Sequence, residues 1–340
     1  MEKPLIAEGK SLLVIGSQNE NPDDRVLDRS EIRSVQVLDR TMGLREARFF
    51  SSWGECGVSS VAADPVSPQV LYVATSTTIV RVDADGGDIV DLEIPDLIDI
   101  HEITMAGTTL RIANTGRDEI VCYDTRAGSV SDRLSLRKFA RRNTPMLDAT
   151  ETAVDTFHCN QWFEDQDGDP FVLVHHTEGR QILKRIAQRL LKSHGTGGII
   201  NTDTGEVASL NLKAPHSVRI CGSHYTILNS GHFLLQIYDS HWNLIKRIDT
   251  SGFGRGADFD ASIGMYYGGV SATRKRYLDV SQRNSTPANT VLFVSFPEFS
   301  VVHRQDIPGI EQINNIYLVD ALLANRLVEL AERLPVTQVA

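Results

Sequence analysis

The feature that most constrains this chain is a recurring way of opening a strand. Six short segments begin on a polar or ionisable residue where a buried strand would carry Val or Ile: Cys56 in WGECGVSS, His101 in IHEITMAG, His158 in TFHCNQW, His216 in APHSVRI, Arg255 in GFGRGADF and Glu311 in IPGIEQINN. They stand 45, 57, 58, 39 and 56 residues apart. A unit of this length that opens on a polar residue and runs into apolar alternation is the signature of propeller blades, each a small antiparallel sheet. The expected fold class is therefore all-β, a six-bladed β-propeller read as one domain over residues 1–340. The innermost strand of each blade then faces one central tunnel, so residues far apart in sequence converge on a single axis.

Turn signals cut the chain into units. The clearest internal echo pairs IANTGRDEIVCYD with ILNSGHFLLQIYD: an apolar residue, then Asn, Thr or Ser, Gly, three residues, and an alternation ending in Tyr-Asp. The last unit has only EQINNIYLV at the C-terminal end. Its missing strands lie at the other terminus, in SLLVIGSQ, SVQVLDR and REARFF. Strands from both termini in one blade would close the ring and remove the exposed sheet edge. Residues 134–143 and 180–194 do not fit blades and read as basic, roughly helical insertions. DALLANRLVELAERL, about residues 320–334, reads as an amphipathic C-terminal helix packed on the ring or on another subunit. A polar loop is expected over residues 275–289.

Composition excludes several functions. A formal charge of −10, from 44 acidic against 34 basic residues, argues against a nucleic-acid surface, which needs a basic stripe. No stretch approaches the length of a membrane span, and the N-terminal apolar run reads as a first strand rather than a signal peptide. The 4 cysteines form no CxxC pair, which fits a reduced, cytoplasmic protein. Cys56 and Cys159 sit at or beside blade openings, and packed small residues are the expectation there.

His101, His158 and His216 are the candidate metal ligands. Neutral imidazole binds zinc and iron, and a catalytic zinc takes three protein ligands with one position open. Ligands from different blades leave no short spacing motif. Arg255, between glycines, is the candidate clamp for a carboxylate or phosphate, because its guanidinium bonds such groups in pairs, or else a structural arginine that bridges blades. Glu311 reads as an acid/base, a fourth ligand or an ion-pair partner of Arg255. Asn160, two residues after His158, is expected on the tunnel side, holding a water or ligand or satisfying a neighbour. Strand alternation points Glu102 away from His101. His175 and His176 alternate faces at a strand end, so one of them can turn inward. DQDGDP, residues 165–170, lacks the full calcium-loop pattern and reads as a turn.

Several of these runs resemble an uncharacterised bacterial β-propeller family, sometimes found with tetratricopeptide-repeat proteins. The motifs are Pro215-His216-Ser217-Val218-Arg219, Asn229-Ser230-Gly231 and Gly252-Phe253-Gly254-Arg255-Gly256, and the opening SLLVIGSQNE is similar to the family's first strand. The likeness is clearest over residues 101–274. The chain departs from the family in its basic insertion and its 275–289 loop. The resemblance implies the fold and no particular reaction. A looser architectural similarity to peptidylglycine amidating lyase implies zinc on three tunnel histidines. Gluconolactonase-like propellers instead hold calcium or zinc with carboxylate and Asn ligands.

The resulting expectation is a cytoplasmic lyase, hydrolase or isomerase acting on a small anionic or polar metabolite. Its divalent metal, zinc or iron(II), would sit on His101, His158 and His216, with Arg255, Glu311 and Asn160 around it. The alternative is a non-catalytic scaffold that binds a partner protein, and either helix could support a homo-oligomer.

Overall fold

In a computed structural model, which describes residues 3–48, 50, 53–139, 155–179, 195–272 and 289–333, the chain forms six four-stranded antiparallel sheets. In chain order they are built from β1 (Lys10–Ser17), β2 (Val35–Leu38) and β3 (Leu44–Glu46); then β4 (Ser60–Ala63), β5 (Val70–Ala74), β6 (Ile79–Asp83) and β7 (Ile89–Asp91). Next come β8 (Ile100–Ala106), β9 (Thr109–Asn114), β10 (Glu119–Asp124) and β11 (Ser129–Ser135), followed by β12 (Cys159–Glu164), β13 (Pro170–Val174), β14 (Gly197–Asn201) and β15 (Val207–Leu212). The last are β16 (Pro215–Cys221), β17 (His224–Asn229), β18 (Leu234–Tyr238) and β19 (Leu244–Asp249), then β20 (Phe253–Asp260), β21 (Met265–Ser271), β22 (Thr290–Ser295), β23 (Ser300–Asp306) and β24 (Gln312–Asp320). Adjacent inner strands touch around the ring, from β4 through β8, β12, β16 and β20 to β24 and back to β4.

The first blade has the order β24-β1-β2-β3. β1 pairs with β24 from Lys10↔Asp320 to Ser17↔Gln312, so the two ends of the described chain close the ring. This is the expected closure, and it leaves neither strand with a free edge. β3 is shorter than the REARFF run suggested and begins at Leu44.

Strand position in the blade decides its sequence pattern. β21, MYYGGVS, is buried at every residue because it packs between sheets on both faces. The outermost β15 and β23 alternate or face solvent. Apolar clusters fill the spaces between successive blades, such as Leu228, Leu235 and Ile237 against Tyr266, Val270 and Leu292.

The C-terminal segment is the expected helix, α1 (Ala321–Arg333). It lays Leu323, Ala324, Leu327, Val328, Leu330 and Ala331 on the ring beside Val35, Val37 and Leu71. This is a stripe at helical spacing, and each fully buried Leu or Val contributes about 1.5–3 kcal/mol. Arg45 Nη2 donates to Asn325 Oδ1 at 2.7 Å and Arg326 pairs with Asp85, which fix the helix's position. Residues 134 and 135 belong to the end of β11, so the insertion expected over 134–143 starts later than the sequence suggested. Its remainder beyond residue 139, residues 180–194 and most of 275–289 lie outside the described residues. Among the described residues, no helix is long and apolar enough to cross a membrane. All four cysteines are free.

Candidate functional site

The internal sequence echo is a structural device that places the site. Asn114 and Asn229 adopt nearly identical backbone angles, φ −85° and ψ 77° against φ −84° and ψ 76°. Each side-chain oxygen accepts from the segment leading into its own blade's inner strand: Asn114 from Ile98 N at 2.7 Å, Asn229 from Lys213 N at 2.9 Å. The next residue reaches the following blade. Thr115 Oγ1 donates to the Cys159 carbonyl, and Ser230 Oγ donates to the Gly254 carbonyl. Those carbonyls lie beside His158 and Arg255. Gly116 and Gly231 are needed for this approach, since a Cβ would come within 2.9 Å of the Ile98 oxygen and 3.0 Å of the Lys213 oxygen.

Five of the six inner strands also carry an extra residue near the opening, seen as register shifts at Ile100/Ile103, Cys159/Gln161, His216/Val218, Gly254/Ala257 and, opposite Ile15/Gly16, on β24. A bulge of this kind bends the strand and re-aims its side chains. His158 and Ser217 take left-handed backbone angles, φ 53° and 49°, uncommon for residues with a Cβ. Asp118, fully buried, anchors the turn into β12: its carboxylate accepts from Thr156 N, Phe157 N and His158 N at 2.6, 2.8 and 3.1 Å.

The result is a cluster of imidazoles at one end of the tunnel. The His101 ring centroid lies 4.8 Å from that of His158 and 6.1 Å from that of His216. His175 joins them, 4.1 Å from His158 and 5.6 Å from His216. The three expected histidines do come together, and a fourth completes the cluster. The sequence offered one signal for it, the alternation of His175 and His176 at a strand end; in the structure His175 N donates to the His158 carbonyl at the end of β13, placing it across from the blade opening.

The ring nitrogens are ordered. His101 Nδ1 lies 3.2 Å from the Asp99 carbonyl, His216 Nδ1 3.0 Å from the Ala214 carbonyl, and His158 Nδ1 2.8 Å from Asp155 Oδ1. A carbonyl or carboxylate oxygen only accepts, so each Nδ1 carries a proton and the Nε2 atoms point away from these anchors. Burial lowers His101, His175 and His216 well below the usual imidazole value; nearby positive charge, from His158 and Arg255 at His101 and from Arg255 at His216, pushes the same way. These rings are neutral at neutral pH. Two polar atoms here are buried without a partner: His175 Nε2 and Asn160 Oδ1. Asn160 occupies the β12 bulge, and its amide donates to the Pro215 carbonyl on β16.

Arg255 is 8% exposed and reaches Gln312 Oε1 at 3.4 Å, while Gln312 donates to Asn19. Glu311 has a different setting from the expected one beside Arg255. Its Oε2 accepts from Asn19 N at 2.6 Å, and its Oε1 from Val26 N and Leu27 N at 2.6 and 2.7 Å. Both oxygens are therefore engaged in holding the 19–27 segment, and none of its hydrogen bonds goes to a histidine or to Arg255. Cys56 is half-buried near Arg25, and Cys159 is packed in the core. Asp165 closes a hairpin turn by accepting from Asp167 N and Asp169 N, as expected for a turn.

Metal-bound imidazoles with bonds of about 2.1 Å in a tetrahedral site would have ring centroids roughly 5 Å apart; His101 and His158 are close to this at 4.8 Å, and His101 and His216 are wider at 6.1 Å. As they stand, no group of three or more His, Cys, Asp or Glu side chains among the described residues is placed to hold a metal ion.

The fold and this mouth define a six-bladed β-propeller with an imidazole-lined tunnel. No family model matches the chain, and no curated protein matches it in sequence. Its structure is similar to a chain of a nidogen/laminin complex, with TM-score 0.58 and 11% identity over 92% of this chain and 98% of that one. It is also similar to a protein of unknown function from Bacteroides caccae, at 0.55 and 12% over 92% and 99%. A putative 6-phosphogluconolactonase from Bacteroides fragilis gives 0.51 and 9% over 92% and 99%. At such identities the likeness shows the fold, which serves unrelated functions.

Proposed function

We propose that the histidine mouth is the active site of a metal-dependent enzyme, a lyase, hydrolase or isomerase acting on a small anionic metabolite. The observation that carries this reading is that histidines from three blades each tie Nδ1–H to an oxygen and leave Nε2 open. Metal-binding histidines are oriented in this way by their outer partners. Depressed proton affinity at His101 and His216 strengthens the case. A ligand must be deprotonated, and imidazoles that resist protonation keep their lone pairs available. The same property makes them poor proton stores, so general-base work alone fits them less well.

His101, His158 and His216 would hold zinc or iron(II), with His175 as a further donor and small ring rotations bringing the nitrogens together. The metal would supply Lewis-acid polarisation of a carbonyl or activation of a bound water. Arg255 would anchor the anionic group, and the unpartnered Asn160 oxygen would accept from a substrate hydroxyl or a water. Glu311 would act through the 19–27 segment, placing Asn19 against Gln312 and so supporting Arg255.

Metal analysis of untagged protein, as purified and after incubation with zinc or iron(II), tests the reading. The expected result is close to one bound ion per chain, falling at least tenfold in affinity in His101→Ala, His158→Ala or His216→Ala. Arg255→Lys should retain metal while losing affinity for small carboxylates. Wild-type metal content in all three histidine variants, or none in the wild type, overturns the reading. Wild-type protein without metal would favour the partner-binding scaffold.

A further inference from the structure

Deeper along the same inner strands lies a second chamber, separate from the histidines and independent of the function proposed for them. It is a cavity of about 380 Å³, walled by Ile103, Trp162 and Tyr317 and bearing Glu102, Arg219, Asp258 and Asn315. That volume suits a metabolite-sized ligand.

Glu102 reaches this chamber because the β8 bulge breaks the alternation expected from the sequence. It meets Arg219 across the tunnel, with Arg219 Nη2 2.8 Å from Glu102 Oε1, although β8 and β16 are separated by β12. Arg219 Nη1 is held by the Val218 carbonyl at 2.7 Å. Asp258 accepts from Leu318 N at 2.6 Å and from Phe259 N at 2.8 Å. The cavity is lined by three carboxylates, the buried Glu102 and Asp258 and the exposed Glu164, against the one guanidinium of Arg219, so negative charge exceeds positive among the lining side chains. Asn315, 1% exposed, donates to Ser60 Oγ at 2.8 Å, but its Oδ1 is buried with no donor. Excess negative charge and a donorless acceptor call for the same occupant, one that brings positive charge and N–H groups. The Trp162 and Tyr317 walls suit an apolar body attached to it.

We infer that this chamber is a binding site for an organic ammonium ion, its N–H groups on Asp258, Glu102 and Asn315 Oδ1 and its apolar part against Trp162 and Tyr317. Arg219 holds Glu102 in place rather than serving as an anion site.

Calorimetric titration of the full chain at pH 7 with three probes of one shape tests this: benzylamine, which is cationic, benzyl alcohol, which is neutral, and benzoate, which is anionic. Benzylamine should bind at least tenfold more tightly than benzyl alcohol, with benzoate weakest of the three. Glu102→Gln and Asp258→Asn should each weaken benzylamine at least tenfold. A readout that needs no variant is the indole N–H spectrum of the wild type, whose 3 tryptophans are Trp53, Trp162 and Trp242. Benzylamine should shift the Trp162 signal and leave the other two in place. Equal binding of amine and alcohol, tighter binding of benzoate, an unmoved Trp162 signal, or unchanged affinity in both folded variants overturns the inference.

Discussion

The two halves of the tunnel are lined by the same inner strands, yet they treat charge in opposite ways. At the mouth, burial holds His101, His175 and His216 well below the usual imidazole value, with neighbouring positive charge pushing the same way, so the rings are neutral. In the chamber, burial raises Glu102 and Asp258 above the usual carboxylate range, while Arg219 pulls both back towards ionisation. Burial penalises whichever form is charged, so it lowers proton affinity at His101, His175 and His216 and raises it at Glu102 and Asp258. A single residue step separates the two chemistries at His101 and Glu102. The bulge on β8 permits this, because without it those side chains would face opposite sides of the sheet.

Both halves depend on one closure, and breaking it should have the largest effect. β1 pairs with β24 along its whole length, and Leu12, Leu13, Val14 and Ile15 are fully buried. Removing residues 1–50 would strip that core and leave β24, which carries Asn315 and Tyr317, with an open edge. The expected outcome is loss of cooperative unfolding and of soluble protein. A truncated chain that still melts in one sharp transition would show that the ring does not need its first blade.

The two halves were unequally legible in the sequence. His101, His158, His216 and Arg255 stood out because they occupy equivalent places in successive units, and a polar residue there interrupts an apolar pattern. The six blades and their closure followed from the same periodicity. Glu102, Arg219, Asp258 and Asn315 occupy different places on their strands, so no repeat brings them forward. Glu102 was also assigned to the wrong face, since strand alternation says nothing of an extra residue in the ladder. Glu311 stood at the expected strand opening, but its partners are backbone N–H groups of the 19–27 segment, a contact invisible without the fold. His175 lies outside the repeat and joins the cluster only through the β12–β13 pairing.

Acid should separate the halves by sign. In metal-free protein, unfolding below pH 6.5 lets His101, His175 and His216 take up protons that the folded state refuses. Their contribution is therefore full above 6.5 and is lost as pH falls below it, at up to about 1.4 kcal/mol per pH unit for each ring. Glu102 and Asp258 act oppositely: their contribution is full below their ordinary values and is lost as pH rises through the raised folded-state values. Asp118, which burial pushes up to about 6, shares their sign. Denaturant titrations from pH 4 to 8 should show His175→Gln flattening the acid limb. Glu102→Gln should instead gain on the wild type as pH rises. The same slope in the histidine variant as in the wild type would show that the mouth is not a buried neutral cluster.

The finest comparison lies between the two echoed turns, which share a backbone but serve different parts of the mouth. Thr115 Oγ1 bonds the carbonyl of Cys159, and Ser230 Oγ bonds that of Gly254 while also lying 3.2 Å from His216 Nδ1. Thr115→Val removes one buried hydrogen bond and leaves an acceptor unpaired, which should cost about 1–2 kcal/mol in denaturant unfolding; Ser230→Ala also removes the contact with His216 Nδ1 and should cost at least as much. The part of the loss due to the carbonyl bonds is expected to match, because the turns have the same geometry and the hydroxyls bond equivalent carbonyls. The difference should appear in the imidazole. Ser230→Ala frees one side of His216 Nδ1, leaving the Ala214 carbonyl as its acceptor, and should shift the nitrogen resonances of that ring. Thr115→Val should leave them in place. Equal stability losses with an unmoved His216 signal in both variants would reduce the echoed turns to blade-to-blade ties, with no part in orienting the histidine.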